Sequence, residues 1–159
     1  MITDLQSSFR VSFIMSEVPV PIPSASELLA DVESRPVWDG ASISPADADY
    51  PRVHLDWHEG HGFAFQCYEQ ESWSDFLVTS HQFSTPSVDV ELGGQALKRW
   101  PRELFVSSEL AAQALDHFLD FGKQNPALEW VRIDGFPRET LWEGRAQREA
   151  WERANPRKG

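Results

Sequence analysis

The sequence predicts an α+β domain: an antiparallel sheet of about four to six strands with helices packed on one face. Three observations carry that expectation. Val53, Leu55 and Trp57 alternate with His54, Asp56 and His58; after the turn Glu59-Gly60-His61-Gly62, Phe63, Phe65 and Cys67 resume the apolar side. That alternation is the mark of a half-buried antiparallel hairpin. Leu110, Ala111, Ala114, Leu115, Phe118 and Phe121 recur at three- and four-residue spacing, the stripe of a helix that buries one face. Strand-like segments also lie together between helical ones rather than alternating with them, an order that gathers the helices on one side of a sheet.

Taken in order, residues 9–15 read as a short strand, but Pro19, Pro21 and Pro23 then predict an extended linker. Ser24 or Ser26 caps a short helix whose Leu28, Leu29 and Val32 face inward, and Pro36 stops it. From Trp38 to Pro51 the residues are loop-like. After the hairpin, Trp73 and Asp75 fall in a polar connection, Phe76–Thr79 and Val88–Leu92 read as strands, and Gly93-Gly94 closes the second. Residues 97–102 are ambiguous. Ser107 or Ser108 caps the main helix, Gly122 ends it in a left-handed turn, and Pro126 prevents its continuation. Leu128, Trp130, Val131 and Ile133 form the next strand, and residues 139–155 read as a terminal helix of mixed charge. The chain thus divides into an N-terminal extension and linker (1–23), an α+β domain (24–135) and a C-terminal helical extension (136–159).

With 159 residues, 41% of them hydrophobic, seven Trp and ten Phe, the chain has enough apolar mass for one folded domain. Its single cysteine, Cys67, excludes an internal disulfide and fits a reducing compartment. No apolar run spans a bilayer, and the first residues lack the basic end and continuous apolar core of a signal peptide, so a cytoplasmic protein is expected. The net charge of -11 is lopsided: residues 1–91 hold three basic residues against fifteen acidic ones. Such a field repels nucleic acid and anionic membranes and attracts a basic partner.

Catalytic signatures are missing. Gly60-His61-Gly62 and Gly93-Gly94 lack the helix and lysine of a phosphate loop, and no nucleophile elbow or H-E-x-x-H pair occurs. Ser107, Ser108, Asp116 and His117 read as a cap and a solvated helix face. His54, His58 and Cys67 offer metal-ligand chemistry, and a small metal-dependent hydrolase is the enzymatic alternative. Yet alternation sends Cys67 toward the core, away from the polar-face histidines. No cofactor is expected. What remains is recognition: between Asp39 and Glu91 ten acidic residues surround one arginine, with Trp57, Tyr68, Trp73 and Phe76 interleaved. Carboxylates around an aromatic anchor suit a lysine- and arginine-rich partner surface. The candidate contacts are Asp56, His58, Glu59, Glu69, Glu71, Trp73 and Asp75.

The helix–glycine–turn–strand unit, with Phe118, Gly122, Pro126, Glu129 and Trp130, resembles the C-terminal signature of the immunity protein family numbered first in bacterial polymorphic toxin systems. The resemblance covers roughly residues 26–133. It implies an α+β immunity protein, not an enzyme, that occludes the active site of a cognate toxin domain with a basic substrate groove, a nucleic-acid deaminase acting on cytosine or adenosine. It also implies a one-to-one heterodimer with that toxin, without direct nucleic-acid or membrane contact. A non-catalytic interaction or sensor domain is the other alternative.

Overall fold

The computed structural model describes residues 9–71, 73–82, 88–92, 96–132, 135, 136 and 153, without the side chains of residues 17, 73, 88–92 and 96–99. The chain is α+β. Its strands are β1 (Phe9–Phe13), β2 (Ser16–Pro21), β3 (Ala41–Pro45), β4 (Arg52–His58), β5 (Gly62–Gln70), β6 (Trp73–Leu77), β7 (Val88–Leu92), β8 (Ala96–Trp100), β9 (Phe105–Val106) and β10 (Trp130–Arg132). Two helices are described, α1 (Ala25–Ser34) and α2 (Ser108–Phe121). Eight strands form one antiparallel sheet in the order β10-β6-β5-β4-β3-β1-β2, with β9 also on β5, while β7 and β8 pair separately.

Both helices lie on one face. Alternate residues of the sheet, among them Phe9, Val11, Ile43, Val53, Leu55, Phe65 and Cys67, bury against Leu28, Leu29 and Val32 of α1 and Ala114, Leu115 and Phe118 of α2. The caps follow the local chemistry. Ser24 Oγ accepts the Glu27 N–H, Ser107 Oγ accepts the Leu110 N–H, and Gly122 closes α2 at φ 69° with its N–H on the Phe118 carbonyl. The helical stripe is rolled from its expected setting: Leu119 is buried and Phe121 is 59% exposed. These two residues flank Ala111, Leu115 and Phe118 on opposite sides, so only one of them can face the sheet.

A second, smaller core occupies the opposite face at the β5–β6–β10 end, built from Ala64, Phe76, Val78, Trp100, Leu104, Phe105, Val131 and Phe136. Phe136 therefore belongs to the domain, and the expected boundary before it is corrected. The rest of the expected C-terminal helix lies outside the described residues, apart from Arg153.

Three further expectations are corrected. Residues 9–21 are not a linker: β1 lies between β3 and β2 inside the sheet. Pro19 and Pro21 are tolerated because β2 is an edge strand, and their spacing of two puts both missing N–H groups on the same side of it. The loop expected over 38–51 contains β3, whose Ala41 and Ile43 are buried. The expected polar connection at Trp73 and Asp75 is β6, paired to β5 and β10. The strand count consequently exceeds the four to six expected. Among the described residues, no helix is long and apolar enough to cross a membrane.

Candidate functional site

The β4–β5 hairpin carries the first group of candidate contacts. Register sets Asp56 opposite Ala64 and His58 opposite Gly62, on the face away from the helices. Asp56 Oδ1 lies 3.0 Å from His58 Nε2. His58 is only 5% exposed, its ring 5.2 Å from Trp100 and 5.1 Å from Phe105 in edge-on contact. It thus supports the surface from beneath, while Asp56 is half-buried and Glu59 on the turn is exposed to solvent. Next to the turn, Glu33, Trp57, His61, Phe105, Ser107 and Ser108 line an open cavity of about 470 Å³.

The second group sits at the other end of β5. Glu69 and Glu71 are exposed. Asp75 opposes Cys67 on the helix-side face and is partly buried: Gln124 Nε2 donates to its Oδ2 at 2.7 Å, and Arg132 Nε lies 3.9 Å from Oδ1. The Trp73 backbone begins β6 opposite Gln70, and its side chain lies outside the described part. Beneath this group, burial first, and then the charges of Glu69 and Asp75, push the Cys67 thiol up to about 12, against an opposing hydrogen bond with Gln124. The thiol therefore stays protonated and unreactive in the folded protein. Ellman's reagent at pH 8 is expected to label Cys67 only as fast as the protein unfolds, so rapid labelling of native protein would contradict this burial.

The seven candidates do not form one patch. Glu59 and Glu69 are separated by the length of β5, roughly 30 Å at 3.3–3.4 Å per residue, and Asp56 and Asp75 face opposite sides of the sheet. The hydrolase trio diverges as well: His54 opposes Gln66, while Cys67 opposes Val53 in the core on the other face. Among the described residues, no three His, Cys, Asp or Glu side chains gather around a common point.

Two features escaped the sequence reading. One is a polar hollow of about 420 Å³ on the face away from the helices, with Arg10, Ser12, Ser42, Ser44, Asp49 and Arg52 in its wall. Its Arg52 is held by Asp49, through Nε to the carbonyl at 3.1 Å and Nη2 to the carboxylate at 3.6 Å. The other joins Asp31, Arg35 and Asp39. Arg35 donates from Nε to Asp31 at 3.0 Å and from Nη1 to Asp39 at 2.9 Å, and its guanidinium stacks 3.5 Å over the Phe13 ring. The hydrogen bond to Asp31 is the largest influence and raises the Arg35 pKa; burial opposes it and Asp39 adds to it. Spacing of four on either side of Arg35 was its only signal in the sequence. No protein-family model matches the chain, and no curated protein matches its sequence.

Proposed function

We propose that this chain is a cytoplasmic immunity protein that binds a cognate bacterial toxin domain one to one and blocks its active site, the toxin being a nucleic-acid deaminase. The observation that carries the reading is the acidic imbalance of residues 1–91, three basic against fifteen acidic, with Glu59, Glu69 and Glu71 exposed around the β4–β5 hairpin. A toxin that acts on nucleic acid presents a basic groove, and an acidic rigid sheet competes for it without any chemistry of its own. The resemblance of the α2–Gly122–β10 unit to immunity proteins supports the same class and supplies the deaminase.

The test is co-expression with deaminase toxin domains of bacterial polymorphic toxin systems, starting with any encoded beside this chain. Rescued growth and a one-to-one complex are the expected results; toxicity unrelieved by this chain would defeat the reading. Within such a complex, Glu69→Lys with Glu71→Lys is expected to slow association about tenfold or more at low salt, with a weaker salt dependence. Asp75 is left out because its bond to Gln124 makes it part of the fold. Unchanged association kinetics would remove this end of β5 from the contact.

A further inference from the structure

Six large apolar residues are exposed among the described residues, and five of them lie together on one edge. Ile14 and Met15 form the β1–β2 turn, Val18 and Val20 lie on edge strand β2, and Trp38 sits in the short 3-10 turn Val37–Asp39. The β1–β2 turn and the 3-10 turn are fastened to each other: Ile14 N–H bonds the Gly40 carbonyl at 3.2 Å and Met15 N–H bonds Asp39 Oδ1 at 2.8 Å. Exposures run from 44% at Val20 and Trp38 to 71% at Val18. Apolar surface left in water forgoes the stabilisation that burial would give it. Concentrated in one place, it marks an interaction surface rather than the scattered exposure of an ordinary monomer.

The surrounding charge selects the occupant. Glu27, Asp31 and Glu33 are exposed on α1, and the cations of this region are Arg35 and Arg10, the latter opposite Pro21 with its guanidinium on the Phe9 carbonyl. Arg35 is already committed to Asp31, Asp39 and the Phe13 ring. A second copy docked by two-fold symmetry would set one acidic rim against the other. A strand added along β2 would meet Pro19 and Pro21, which have no N–H to give.

We infer that the β1–β2 edge is a docking surface for a basic protein partner, whose apolar side chains cover Met15, Val18 and Trp38 while its lysines and arginines meet the acidic rim. The inference rests on the immunity reading for its natural partner, and it places the apolar anchor of that contact on the side of the sheet remote from Glu69 and Glu71.

The probe is a synthetic peptide of alternating lysine and leucine, compared with a lysine–serine peptide of equal charge and a glutamate–leucine peptide, by amide chemical shifts of the full chain. The lysine–leucine peptide is expected to shift amides of residues 14–20 and 38 and to bind at least tenfold tighter than either control. Met15→Ser with Val18→Ser is expected to lower that affinity about tenfold, while Glu69→Lys with Glu71→Lys leaves it within twofold. Both serine positions are exposed, and an unchanged melting temperature checks that the fold survives. Shifts confined to the Glu69–Glu71 end, equal binding of the lysine–serine peptide, no binding, or a concentration-dependent dimer sensitive to the serine pair would each overturn the inference. If the toxin complex forms and ignores the serine pair, the docking surface fails while the immunity reading stands. If the peptide maps to this edge and no toxin complex forms, the reverse holds.

Discussion

Asp39→Ala is expected to destabilise the folded protein by about 2–4 kcal/mol, out of a total of some 5–15 kcal/mol for a domain of this kind. The Asp39 side chain is 10% exposed, and its carboxylate holds two donors at once, the Met15 N–H and the Arg35 guanidinium. Removing it strands a backbone donor at the β1–β2 turn and leaves Arg35 with Asp31 and the Phe13 ring. The Arg35 side chain is 30% exposed, so solvent screens part of that loss, and the lower half of the range belongs to the ion pair and the upper to the unmade backbone bond. Asp39→Asn retains an acceptor for Met15 and is expected to cost about half as much. Urea denaturation checks both, through a lower midpoint at unchanged slope. Identical midpoints for wild type and Asp39→Ala would mean that the β1–β2 turn is held by its strands alone.

That network shows which parts of the molecule could be read from the chain. Local signals survived: the caps at Ser24 and Ser107, the left-handed Gly122, and the helix-facing residues Val53, Leu55, Phe63, Phe65 and Cys67 of β4 and β5 all follow from patterns within a few residues. Elements whose strand character comes from their neighbours did not. β3 is short and β6 is polar at Ser74 and Asp75, and neither has a convincing pattern until β1 and β4 flank the one and β5 and β10 the other with hydrogen bonds on both sides. In β2, prolines that argue against a strand in isolation are compatible with an edge. The candidate contacts divide in the same way. Exposure of Glu59, Glu69 and Glu71 follows from their turn and strand-end positions. The burial of His58 does not, because Trp100 and Phe105 that enclose it are some forty residues away in sequence.

Gly62→Ala is expected to cost about 3 kcal/mol, since two separate penalties fall on one atom. Gly62 sits at φ 131°, a backbone conformation that side-chain-bearing residues rarely adopt, and a β-carbon there would lie 2.7 Å from the Val106 carbonyl oxygen. That oxygen belongs to β9, where Val106 pairs with Phe63 and Phe105 with Ala64, so relief requires β9 to move off β5. Phe105 would move with it, and Phe105 is the ring that contacts both His58 and His61. The substitution is therefore expected to shift the ring resonances of His58 as well as the urea midpoint. Gly60→Ala provides the contrast: Gly60 has φ 82° with nothing within 4 Å of a new β-carbon, so only the backbone term applies and about 1 kcal/mol is expected, with His58 undisturbed. Equal costs at the two glycines would show that β9 is not held tightly against β5. A larger cost at Gly62 together with a displaced His58 signal would tie the wall of the neighbouring cavity to this single close approach.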